Sequence, residues 1–78
     1  MAKSGRTVSQ RDDGTWANQK DGGRRATSLH KSQKQAADAA RQNLKIEGGG
    51  ELKIKNEDGK IRQKDTIAPA KDPFPPNG

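Results

Sequence analysis

Seventy-eight residues hold one small domain at most, and the absence of cysteine excludes disulfides, thiolate nucleophiles and thiolate metal sites. Only 26% of the residues are hydrophobic, and no apolar run reaches signal-peptide or membrane length, so a cytoplasmic protein with no membrane association is expected. The net charge of +6 and a pI near 10.0 favour anionic partners, namely DNA or another polyanion, an acidic protein or an acidic surface, without choosing among them.

Residues 1–5 carry no pattern and are expected to fray as a flexible N-terminus. Residues 6–11 form a short strand candidate around Thr7 and Val8. The Asp12-Asp13-Gly14 turn follows, then a returning strand over 15–20. Trp16 is the best core anchor on this hairpin. Asn18, two residues on, shares its face and weakens it, so Asn18 is expected at the rim. After Asp21-Gly22-Gly23, residues 24–30 make a third, short strand with little apolar content, Ala26 and Leu29 falling on opposite faces.

The clearest element is a helix opening at Ser32. Ser32 and Gln35 have the spacing of a capping box: the hydroxyl can take a free N–H three residues on, and the amide can reach back. Ala36, Ala40 and Leu44 recur every four residues with Ala37 beside them, which draws one narrow apolar stripe. The opposite face is polar, with Lys34, Asp38 and Arg41 placed to pair. Gly48-Gly49-Gly50 ends the helix.

A second hairpin follows, with strands over 51–55 and 60–64 joined by Asn56-Glu57-Asp58-Gly59. Alternation directs Leu52, Ile54 and Ile61 inward and Lys53, Lys55, Lys60 and Arg62 outward, with Lys64 extending the row. Residues 68–78 form a proline-rich tail, expected to be disordered or loosely docked, in which Phe74 is the one large apolar group. The resulting reading is an α+β domain over 6–67: a small antiparallel sheet in β-β-β-α-β-β order, packed on one helix.

The residues then resemble a known family. The D-G-x-W hairpin falls on Asp13 to Trp16, an R-A-x-S segment on Arg25 to Ser28, and the S-Q-x-x-A-x-x-A-A-R helix on Ser32 to Arg41. A G-G-E-L-x-I strand falls on Gly49 to Ile54, a D-G-K-I-R turn and strand on Asp58 to Arg62, and a D-P-F-P-P-x-G end on Asp72 to Gly78. In order and spacing this is similar to the bacterial domain-of-unknown-function family 2188. The resemblance implies a small single-domain protein and no activity. The chain departs from the pattern at Asn18, where such proteins usually carry an apolar residue. A looser, fold-level similarity over residues 14–44 links it to integrase arm-binding domains, which bind DNA; likeness of fold is a poor guide to function.

Catalysis finds little support. His30 is the sole histidine and has no second ligand at metal-binding spacing. Ser28 or Ser32 with His30 lacks an elbow motif and an orienting acid. Asp12-Asp13 and Glu57-Asp58 precede glycines and read as turns rather than paired catalytic carboxylates. The glycine run follows a helix, whereas a phosphate loop precedes one. No enzyme activity, cofactor or metal is expected.

The sharper signal is the basic ribbon of Lys53, Lys55, Lys60, Arg62 and Lys64, to which Arg24 and Arg25 can add. Alternate residues on a strand lie about 6.6 Å apart, near the phosphate spacing of a nucleic-acid strand. The competing reading is a solvated edge that resists aggregation. A protein partner held by the sheet edge or the tail is the alternative function; the sequence does not indicate the oligomeric state.

Overall fold

The computed structural model describes residues 4–69. Phe74 and nearly all of the proline-rich tail lie outside that range, as do Met1, Ala2 and Lys3. The elements are β1 (Ser4–Gln10), β2 (Trp16–Lys20), β3 (Ala26–His30), α1 (Gln33–Ile46), β4 (Gly50–Lys55) and β5 (Ile61–Ile67). They build one five-stranded sheet in the order β3-β2-β1-β4-β5, with α1 across one face.

The expected element order and α+β class hold, but the sheet is mixed rather than antiparallel. β1 and β4 run parallel, with Arg6 beside Leu52 and Val8 beside Ile54. The cause is the helix. It leaves the end of β3 and returns the chain to the end where β1 begins, so β4 starts level with β1 and takes its free side. Such a crossover is what parallel neighbours require. The pairing also carries β1 back to Ser4, earlier than the expected start at Arg6. β5 runs on to Ile67 because Asp65, Thr66 and Ile67 stay paired with Leu52, Glu51 and Gly50.

Helix α1 matches its sequence signals. Ser32 is the N-cap, and its hydroxyl accepts the Gln35 N–H at 3.2 Å. Among the described residues only this forward half of the capping box forms. At the other end the Gly49 N–H returns to the Leu44 carbonyl at 2.6 Å. Gly49 sits at φ +91°, and a Cβ there would lie 2.9 Å from the Ile67 carbonyl oxygen, so conformation and space both require glycine.

The core joins Ala36, Ala37, Ala40 and Leu44 of α1 to Val8, Trp16, Leu52 and Ile54 of the sheet. Small side chains on the helix stripe let the sheet approach closely. Ile67 packs at the margin of this cluster.

Two strand irregularities change what the sequence pattern implies. In β5, Gln63 pairs with Ile54 but Ile61 pairs with Lys55, which leaves Arg62 as an extra residue. Ile61, expected inward, is therefore set opposite Lys55 and is 46% exposed. In β3, Ser28 pairs with Asn18 but Ala26 pairs with Gln19, and Thr27 is the extra residue. Each bulge turns one side chain towards an end of the helix layer. Thr27 accepts from Arg6 Nη1 at 2.8 Å, and Arg62 donates to Gln33 Oε1 at 2.9 Å.

Asn18 is also corrected. It is 0% exposed, enclosed between sheet and helix rather than at a solvent-facing rim. Its carbonyl accepts from Arg6 Nη1 at 3.2 Å, and its amide donates to Asn43 at 2.8 Å and Ser28 at 3.3 Å. Arg6, equally enclosed, also binds Glu47 at 2.6 Å. A polar layer thus replaces apolar packing beneath the last turns of α1, and Asn18 fits there because both ends of its amide are satisfied.

Candidate nucleic-acid interface

The helix covers one face of the sheet, and the other face stays open. Side chains alternate along each strand, so the partners of Leu52 and Ile54 point to the helix and those of Lys53 and Lys55 point away. A row across the open face runs Gln19, Thr7, Lys53, Lys64. A second row runs Leu29, Ala17, Ser9 on the neighbouring strands, towards Lys55 and Ile61. The only tryptophan, Trp16, is buried on the helix side and is not available for base stacking.

The expected basic row is thus divided. Lys53, Lys55 and Lys64 remain together on the open face. Lys53 stands directly opposite Lys64. Arg62 leaves the row through the bulge and reaches the start of α1 at Gln33, whose own amide donates to the Lys55 carbonyl at 3.1 Å. Lys60 is exposed in the β4–β5 turn. Arg24 and Arg25 are exposed in the β2–β3 connection, at the opposite end of the sheet.

The sequence reading missed Thr7, Gln19 and Asp21 as members of this surface. The β2–β3 turn brings the Asp21 carboxylate over the open face, where it accepts from Thr7 Oγ1 at 2.8 Å and forms an ion pair with Lys53. Burial pushes the Asp21 carboxyl up, but the Lys53 ammonium and the Thr7 hydroxyl outweigh it and hold the group below the ordinary value of 3.8. Nothing local in the sequence marks this contact. It depends on the parallel register that places Thr7 beside Lys53.

Other groups weighed for chemistry sit in structural roles. Ser28 Oγ and His30 Nε2 lie 2.7 Å apart on the helix-facing side of β3, with the Asn18 amide donating to the same hydroxyl. Among the described residues no carboxylate hydrogen-bonds His30 and no group of three acidic, histidine or cysteine side chains could hold a metal. Asp13 caps its own turn, held below the ordinary carboxylate value by the Thr15 hydroxyl and N–H. A wide cleft of about 590 Å³ lies between the start of α1 and the β4–β5 turn, with Trp16 and Gln33 in its wall and Lys31, Arg62, Glu57 and Asp58 around it. Its mixed charge gives no single ligand class.

A family model for an uncharacterized protein conserved in bacteria, DUF2188, matches residues 6–67. The chain belongs to the DUF2188 family. No curated protein and no solved structure matches it at a significant level. The DUF2188 match takes in all of β2 to β5 and α1, and hence the whole open face from Thr7 to Lys64. Among the described residues no helix is long and apolar enough to cross a membrane.

Proposed function

We propose that this DUF2188 domain is a non-catalytic module that binds the phosphate backbone of nucleic acid, duplex DNA first, through the open face of its sheet. The observation that carries the reading is the Lys53–Lys64 pair. Like charges directly opposite each other on adjacent strands destabilise a sheet; Asp21 offsets Lys53 alone, and Lys55 adds a third cation two residues along. A polyanion laid across the face relieves that repulsion and releases counterions. The absence of aromatic side chains among the described residues of the face favours backbone contact over stacking on single strands.

The test is a titration with duplex DNA at several salt concentrations. Changing Lys53, Lys55 and Lys64 together to Glu should abolish measurable binding in low salt. The wild-type salt slope should be about −0.9 for each phosphate neutralised. The Arg24 and Arg25 pair changed to Glu should weaken binding less, because these residues lie at the far end of the sheet. No binding in low salt, or binding indifferent to the triple change, refutes the reading.

A protein partner is the second reading, supported by Leu29, which is 51% exposed on the open face of edge strand β3. A peptide strand added to that edge would cover it. In that case Leu29→Lys abolishes capture of the partner while DNA has no effect.

A further inference from the structure

The open face contains a hollow of about 240 Å³ whose wall is mainly polar. Thr7, Ser9, Gln19 and Lys55, which share the open face, line it, and Lys20 and Gly22 border it at the β2–β3 turn. Asp21 closes one side. Its backbone N–H donates to the Gly5 carbonyl at 2.9 Å, which fixes the start of the β2–β3 turn over β1. A Cβ at position 5 would collide with the Asp21 carboxylate, so the bare backbone of Gly5 is what lets that group lie down on the sheet. There the carboxylate accepts a hydrogen bond from the Thr7 hydroxyl and pairs with the ammonium of Lys53.

A hydroxyl and an ammonium converging on one anionic group, beside a polar hollow bordered by a further lysine of the same face, Lys55, is the donor set of a phosphate site. The anion present is the protein's own. We infer that Thr7, Lys53 and the adjoining hollow form a phosphate-binding subsite, and that the Asp21 carboxylate occupies it in the free protein and gives way to a phosphate group. The inference deepens the nucleic-acid reading and rests on it only for the source of the phosphate. Asp21 then sets a threshold. It offsets one cation of the face until a stronger polyanion displaces it, which weakens attachment to dilute anions and leaves binding to a dense phosphate array.

Two arms test this and separate it from the broader reading. In the first, inorganic phosphate is titrated into the wild-type protein, Asp21→Asn and Asp12→Asn, and amide and lysine ammonium resonances are followed by NMR. Asp12 lies in the β1–β2 turn at the other end of β1, so Asp12→Asn makes the same charge change away from the hollow. Asp21→Asn should move the resonances of Thr7, Gln19 and Lys53 at a phosphate concentration about two- to fivefold lower than wild type, the worth of one exposed ion pair. Asp12→Asn should resemble wild type. Adding Lys53→Met to Asp21→Asn should cancel the gain. Asp21→Ser, equally unable to offer a carboxylate, repeats the measurement in a second background. Equal responses from Asp21→Asn and Asp12→Asn, or shifts centred away from Thr7 and Lys53, overturn the subsite.

In the second arm the same variants are titrated with duplex DNA. Asp21→Asn should bind more tightly at each salt concentration with nearly the wild-type salt slope, because the same phosphate is neutralised once Asp21 has given way. DNA that binds wild type but gains nothing from Asp21→Asn over Asp12→Asn overturns the subsite and leaves the interface standing. Phosphate shifts at Thr7 and Lys53 without any DNA binding uphold the subsite and overturn the nucleic-acid reading.

Discussion

Asn18 shows how much one side chain depends on its surroundings. An amide in the middle of a small core costs stability unless its polar atoms are paired, and here Arg6, Asn43 and Ser28 pair them. Truncation removes that pairing from groups that stay buried. Asn18→Ala should therefore lower unfolding free energy by about 1–3 kcal/mol for the polar atoms left unsatisfied, read by urea denaturation with Trp16 fluorescence. Arg6 makes the case sharper, since its Nε already lacks a partner in an enclosed position. At the surface, Asp21 follows the linkage rule. Its folded carboxyl titrates below the ordinary 3.8, held there by Lys53 and Thr7 against the opposing effect of burial. The stabilisation it contributes is fully present above 3.8 and is lost as pH falls through the lower folded value. The stability difference between wild type and Asp21→Asn should therefore be constant from neutral pH to about 5 and vanish in stronger acid. A difference that persists unchanged at the acid end would refute the assigned pairing.

At the scale of elements, the helix stripe and the bulges have opposite consequences. Ala36, Ala40 and Leu44 are fully enclosed, so the stripe admits no larger or charged group. Ala40→Asp buries an unpaired charge and should unfold the domain, seen as loss of the cooperative thermal transition. An unchanged thermal midpoint would mean that this face does not meet the sheet. The Arg62 bulge acts the other way, by taking a residue out of its expected row. Its guanidinium reaches Gln33, which also holds the Lys55 carbonyl, so it ties the second hairpin to the start of the helix. Arg41 makes a comparable link lower down, pairing with Asp38 on its own helix at 3.1 Å and with Asp65 of β5 at 3.3 Å. Edge strand β5 is thereby attached to α1 mainly through polar contacts, which suits a strand with one partly buried apolar residue, Ile67.

For the whole molecule, structure and proposed binding occupy different faces of the same sheet. Leu52 and Ile54 face the helix, and the lysines between and after them face away. The triple change of Lys53, Lys55 and Lys64 to Glu should accordingly leave a folded protein, with its thermal midpoint measured alongside the DNA titration to establish that lost binding is not lost structure. Ile46, 79% exposed at the helix end, shows that apolar residues are not all recruited to the core. The helix, its cap and its glycine stop were legible in the sequence because they rest on interactions within about four residues. The same holds for the turns at Gly14 and Gly59, where positive φ is demanded locally.

The sequence by itself determined the order of elements, the apolar stripe of α1, Trp16 as the core anchor and the inward direction of Leu52 and Ile54, though not the outward turn of Ile61. Only the tertiary structure decided that β4 lies parallel to β1, that Arg62 leaves the basic row, that Asn18 is enclosed and that Asp21 rests on Thr7 and Lys53. The physical reason is common to all four. Period-two alternation says which residues share a face of one strand, but a bulge resets the count, and pairing between distant strands sets which faces meet. Thr7, Asp21 and Lys53 are far apart in the chain and become neighbours only when the helix has carried β4 back alongside β1.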